Sequence, residues 1–162
     1  LSASCASSVI AVGATAYRTL YVNSVGDVQV YNAGTHGQRA HYSAIGPTYD
    51  GRIKPDVMAP GTNIISSYSS YYISEQASPE SSLVSTFAYN GRTYAWQSDA
   101  GTSMAAPVVA GVIALWLQAR PDLSPADVMD VLRATCRRPD PSLTYPNNLY
   151  GYGEIDANRG LL

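Results

Sequence analysis

Gly101-Thr102-Ser103-Met104-Ala105-Ala106-Pro107, followed by an apolar run from Val108 to Leu117, decides how this chain is read. A glycine and a threonine lead one serine into a long apolar segment, which presents a hydroxyl at the first turn of a buried helix. Free backbone N–H groups and the positive end of the helix dipole gather at such a start. An anion forming beside Ser103 would be stabilised there, as acyl transfer requires. A serine alone is a weak nucleophile. It needs a base to take its proton and a group to orient that base. The expected helix spans Met104 to Leu117, is apolar nearly all round and therefore belongs at the centre of the fold. Pro107 is expected in its first turn, where a missing N–H costs little, and Pro121 ends the helical region.

Downstream, Ser124-Pro125-Ala126-Asp127 has the form of a capping box with proline at the first helical position. Val128, Val131, Leu132 and Thr135 mark one face of the second helix, which Pro139 and Pro141 stop. Upstream, Ser8 to Ala14 is a β-branched run that suits a strand buried on both faces. Tyr21 to Tyr31 reads as a hairpin around Val25-Gly26-Asp27. Val57-Met58-Ala59 and Ile64-Ile65 are short buried segments meeting at a Pro60-Gly61 turn. Ser66 to Glu80, rich in serine and tyrosine, reads as a surface loop. Phe87 to Trp96 is a second hairpin, with Asn90-Gly91 supplying a type I′ turn. Gly151-Tyr152-Gly153 is a turn leading into a short element at Glu154 to Ala157.

The chain has 162 residues, 46% hydrophobic and 14% charged, enough for a globular unit with a real core. A formal net charge of -2 with no basic cluster argues against a nucleic-acid or anionic-membrane surface. The uninterrupted apolar stretches fall short of the roughly 20 residues that cross a bilayer. Cys5 and Cys136 lie far apart without metal-ligand spacing. They read as two separate thiols, with a single disulfide as the alternative in an oxidising compartment.

Four blocks carry a family resemblance. SVIAVGA at 8–14, SAIGPTYDGRIKPDVMAPGTNI at 43–64, GTSMAAPVVAGVIALWLQARPDLSPADV at 101–128 and GYGEIDANRGL at 151–161 closely resemble subtilisin-like serine proteases, in the family's order. The resemblance implies an α/β fold with a doubly wound, mostly parallel sheet. It implies that Ser103 is the acyl-forming nucleophile and that the Ser103 backbone N–H is one oxyanion-hole donor. It also implies peptide or protein substrates, no organic cofactor and an extracytoplasmic or secreted setting. Many relatives bind structural calcium, but no dense carboxylate loop of the usual kind is visible here.

The departure from the family pattern is as informative. The family's catalytic Asp lies in an Asp-Ser/Thr-Gly motif and its catalytic His in a His-Gly-Thr motif. Its oxyanion-hole Asn precedes the SVIAVGA-like strand. All three would precede residue 1, so residues 1–162 read as the C-terminal portion of one incomplete peptidase domain. Within the chain, His36 and His41 are the only histidines. Both are expected at surface or turn positions rather than beside Ser103. Asp56 is expected to cap a turn and Asp99 to be a loop or cap residue. Tyr68, Tyr71, Tyr72, Tyr89 and Tyr94 line a peptide cleft, contact a partner or decorate a solvated insertion.

The expectation is therefore a serine endopeptidase in the intact parent and an inactive isolated chain. The alternative is a non-catalytic, protease-derived scaffold or binding module. A Gly-x-Ser-x-Gly elbow is excluded, because Met104-Ala105 follows Ser103. Alone, the chain is expected to bare an apolar strand edge at 8–14 and one side of the serine helix. Self-association, or docking of the N-terminal portion, would cover them.

Overall fold

The computed structural model describes residues 3–71 and 82–161. In chain order the strands are β1 (Val12–Ala16), β2 (Leu20–Val22), β3 (Val28–Val30), β4 (Gln38–Arg39), β5 (Val57–Pro60), β6 (Ile64–Tyr68), β7 (Leu83–Tyr89) and β8 (Arg92–Asp99). The helices are α1 (Thr102–Ala119) and α2 (Pro125–Thr135).

The sheet under the site has the order β4-β1-β5. Strands β1 and β5 run parallel, with Val12 opposite Val57 and Thr15 opposite Pro60. This is the parallel pair of the α/β fold. The strand expected at Ser8–Ala14 begins later, at Val12. Val9 N–H closes a turn onto the Ala6 carbonyl at 3.2 Å, and Ala11 N–H goes to the Asp56 carboxylate at 2.7 Å. Neither group is free to join a ladder. Residues 153–155 lie along the other side of β5: Met58 N–H donates to Gly153 O at 2.8 Å, and Ile155 N–H to Met58 O at 2.9 Å.

The outer edge of β1 is less open than expected. The Ala14 carbonyl accepts Ala40 N–H, Ala14 N–H donates to Ser43 Oγ, and Thr15 and Ala16 pair with β4. The chain's own loop thus covers much of the edge that strand exchange would need.

Both hairpins form as read. Strand β2 pairs with β3 around Gly26, whose φ of +92° needs glycine. Strand β7 pairs with β8 across Asn90 and Gly91, at φ 48° and 71°, the two positive angles of a type I′ turn. This hairpin is longer than expected because β7 starts at Leu83 and β8 runs on to Asp99. Strand β6 pairs with β8 from Ile64 to Tyr68, so the start of the expected Ser66–Glu80 loop is sheet. The rest of that segment, from Tyr72 on, lies outside the described residues.

Helix α1 packs on β1 and β5 through Ala105, Val109 and Trp116, and a core of Ala14, Val57 and Ala59 meets it. Trp116 is buried, and its Nε1–H donates to the Ala157 carbonyl at 3.0 Å. Two sequence expectations are decided here. First, the helix bares one side, as expected of the chain alone, and is not covered all round as its apolar composition suggests. Ala106, Ala110, Gly111, Ala114 and Leu117 are exposed, and Leu115 is 50% exposed. Small and apolar side chains on that face have no partner element among the described residues. By length and composition alone α1 could also cross a membrane. Second, α1 starts at Thr102, so Pro107 sits in the second turn. The Ser103 carbonyl therefore lacks the N–H that residue 107 would otherwise donate.

The capping box on α2 is complete. Ser124 Oγ accepts Asp127 N–H at 3.3 Å, and the Asp127 carboxylate accepts Ser124 N–H at 2.8 Å. Val128 and Leu132 face the core as the helical periodicity predicts, with Val131 packed at its margin.

Candidate active site

Ser103 is the second residue of α1 and is exposed. Strand β8 delivers it: Asp99 ends the strand, and Gly101 caps the helix in extended backbone. The Gly101 carbonyl accepts Met104 N–H at 3.0 Å and Ala105 N–H at 3.3 Å. That leaves the Thr102 and Ser103 N–H groups at the tip with no backbone acceptor among the described residues. A helix start in this state attracts negative charge.

What holds the tip in place is Gly61. Its carbonyl accepts Gly101 N–H at 2.8 Å, and its own N–H donates to Thr15 O at 3.1 Å. A β-carbon at residue 61 would stand 2.7 Å from Ala14 Cβ and 2.8 Å from Gly101 O. Strand β1, the β5–β6 turn and the start of α1 can therefore touch only because this residue has no side chain. Tyr42 braces the same turn, donating its hydroxyl to Gly61 O at 2.8 Å, and burial pushes its phenol up.

A groove of about 460 Å³ opens beside the serine. Ile10 to Val12, Ala44 to Pro47, and Thr102, Ser103 and Ala106 line it. Ser43, whose Oγ accepts Ala14 N–H, anchors the wall that starts at Ala44. No histidine or carboxylate lines this groove among the described residues. Lys54 does, but its ammonium contacts the Asp56 carboxylate at 2.5 Å and the Val9 carbonyl at 2.9 Å. Both contacts use the ammonium as a donor, and an ammonium has no lone pair with which to act as a base.

The other candidates are engaged by partners other than Ser103. His36 is exposed, with Nδ1 at 3.0 Å from the Tyr17 carbonyl and its ring edge-on to Tyr17. His41 packs edge-on to Tyr31 and Tyr42, with centroids at 6.2 and 5.7 Å. Asp56 ties Ala11, just ahead of β1, to Lys54, a structural role. Asp99 accepts Ala100 N–H at 2.7 Å, as a loop carboxylate does. Of the tyrosines, Tyr94 stacks on Phe87 and Tyr71 lies under the Arg92 guanidinium at 3.8 Å. Tyr72 lies outside the described residues. Cys5 and Cys136 are free thiols. Burial, then Asp156 and Glu154, push Cys136 up to about 12, so it is protonated at ordinary pH.

Two residues here escape a reading of sequence alone. Gly61 is visible as a turn glycine but not as the contact point of three elements. Glu154 is 1% exposed and accepts hydrogen bonds from Thr15 Oγ1 at 2.5 Å, from Tyr17 OH at 2.6 Å and from Arg137. It sits 51 residues from Ser103 in the chain, and although it lies in the block at 151–161, nothing local marks its contacts. Among the described residues no three His, Cys, Asp or Glu side chains group as metal donors.

Comparison with known proteins places this geometry. The model of the Subtilase family matches residues 2–153. Serine protease AprX of Bacillus subtilis is 40% identical over 124 residues, which is 75% of this chain and 25% of that protein. An uncharacterized protein of Aquifex aeolicus is 37% identical over 142 residues, 88% of this chain and 56% of the other. Among solved structures, a protease from Pseudoalteromonas arctica superposes with a TM-score of 0.61 at 27% identity, over 98% of this chain and 37% of that one. Fervidolysin from Fervidobacterium pennivorans superposes with a TM-score of 0.51 at 28% identity, over 95% of this chain and 19% of its own. The chain thus spans only part of the length of its relatives: 25% of AprX and 56% of the Aquifex protein. The serine-bearing helix start, the glycine that seats it and the match along almost the whole sequence lead to one conclusion: this chain belongs to the Subtilase family.

Proposed function

We propose that residues 1–162 are the C-terminal portion of the catalytic domain of a longer serine endopeptidase, with Ser103 as nucleophile. The observation that carries this reading is the exposed Ser103 at a helix tip with unbonded N–H groups, in a chain of this family. Ser103 Oγ attacks the scissile carbonyl carbon and its proton passes to a base. The negative oxygen of the tetrahedral intermediate is met by the Ser103 N–H. The C–N bond then breaks, the amine leaves with that proton, and water hydrolyses the ester. The base, its orienting carboxylate and the side-chain oxyanion donor come from the rest of the parent, which the relatives' greater length makes room for. Substrates are peptides or proteins, and the setting is extracytoplasmic.

The isolated chain is a different case. The groove beside Ser103 offers no histidine or carboxylate base among the described residues, so the hydroxyl keeps its proton. An active-site fluorophosphonate separates the two situations. It should label Ser103 of the parent rapidly and one-to-one, and leave the isolated chain unlabelled over the same time. Rapid labelling of the isolated chain would overturn its assigned inactivity. No labelling of a folded parent would favour the non-catalytic alternative.

The bare face of α1 gives the isolated chain a second property. Leu115, Leu117 and the small residues Ala106, Ala110, Gly111 and Ala114 expose apolar surface that association would remove from water. Analytical ultracentrifugation of the isolated chain should show dimers or larger species. A single monomer at high concentration would refute self-association. Since β1 is covered by residues 38–43, the expected contact is through the helix face rather than through strand exchange.

A further inference from the structure

We infer that Glu154 is a positioning residue for Ser103, acting through β1 and Gly61; the inference rests on Ser103 being the nucleophile. The buried Glu154 carboxylate spans from the C-terminal segment to the end of β1. One oxygen accepts the Thr15 hydroxyl at 2.5 Å, and the other accepts the Tyr17 hydroxyl at 2.6 Å and the Arg137 guanidinium. The backbone of Glu154 is itself fixed, exchanging both hydrogen bonds with Arg137 at 2.8 and 2.7 Å. The carboxylate is thus held from two sides and holds Thr15 in turn. Thr15 is fully buried, so its side chain has no water to turn to.

From Thr15 the constraint continues without a gap. The Thr15 carbonyl accepts Gly61 N–H, and the Gly61 carbonyl accepts Gly101 N–H. The Gly101 carbonyl closes the first turn of α1 around Ser103. The successive joints are backbone hydrogen bonds of 3.1, 2.8 and 3.0 Å, and the glycine joint has no room to give. A shift of β1 at Thr15 is therefore passed to the serine tip rather than absorbed. Acyl transfer is sensitive to such shifts because the oxyanion donor must meet a developing charge at a set distance. Glu154 touches no reacting atom; its part is to keep the far end of this chain of contacts still.

The test uses the full-length parent, with a peptide substrate. Glu154→Gln and Thr15→Val should each lower kcat about tenfold and leave KM within about twofold, the mark of lost transition-state geometry. Thr15→Ser keeps the hydroxyl and should restore kcat. The double variant Glu154→Gln/Thr15→Val should be no slower than the slower single variant, because both weaken the same Glu154–Thr15 link. A merely structural role would lower Tm and leave kcat of the folded protein unchanged, and that result overturns the inference. Should Glu154→Gln fail to fold, Thr15→Val against Thr15→Ser decides alone: equal kcat values overturn it. Ser103→Ala is run alongside. Full activity there would overturn the serine assignment and this inference with it. Loss there with an unchanged Glu154→Gln kcat overturns only the role of Glu154.

Discussion

Ser103→Ala in the full-length parent should cut kcat by at least roughly 10³-fold, the scale on which a covalent route is lost. KM should change little, because the hydroxyl is one small group in a groove lined mainly by other residues. Stability should also change little. Ser103 is exposed at the second position of α1, and surface changes of this kind stay within about 0.5 kcal/mol. Unchanged thermal unfolding with lost turnover is the combination that assigns chemistry rather than folding to this residue. A helix-capping serine would give the reverse pattern, losing about 1 kcal/mol and no turnover. The helix geometry already disfavours capping, since Gly101 is the cap residue and no side chain bonds there.

The second large effect is expected at Gly61. Gly61→Ala places a methyl group 2.7 Å from Ala14 Cβ and 2.8 Å from the Gly101 carbonyl oxygen. Neither neighbour is the tip of a flexible side chain, so backbone must move. Overpacking of this sort costs about 1–3 kcal/mol. The movement falls on Gly101, so fluorophosphonate labelling of Ser103 in the parent should slow together with the loss of stability. Urea unfolding and the labelling rate measure the two parts separately. Gly111→Ala supplies the contrast. No atom stands within 4 Å of the added carbon, and alanine favours a helix over glycine by about 0.8–1 kcal/mol. In the isolated chain it should stabilise or be neutral. Equal effects at positions 61 and 111 would show that glycine content rather than contact matters.

Local structure was legible wherever a few neighbouring residues settle the backbone. Asn90-Gly91 demands two positive φ angles and obtains them. Ser124 and Asp127 satisfy each other's N–H groups three residues apart, whatever else surrounds them. The β1 boundary was misplaced because the residues that stop it, Ala6 and Asp56, act through a turn and a distant carboxylate. The apolar composition of α1 overstates its burial for a related reason, and only the family resemblance pointed to a bare side. Composition reports how apolar a helix is, whereas its cover depends on which other elements reach it.

The same division runs through the site. Sequence alone determined the family, the two hairpins, the capped helix and the serine at a helix start, because each rests on neighbours in the chain or on a contiguous motif. It also determined that neither histidine sits in a motif suited to a base. Only the tertiary structure decided that Gly61 seats the serine tip between Ala14 and Gly101, and that Glu154 grips Thr15 across 139 positions. Those assignments depend on distances between segments remote in sequence, and a one-dimensional pattern carries no record of which remote groups exclude water together.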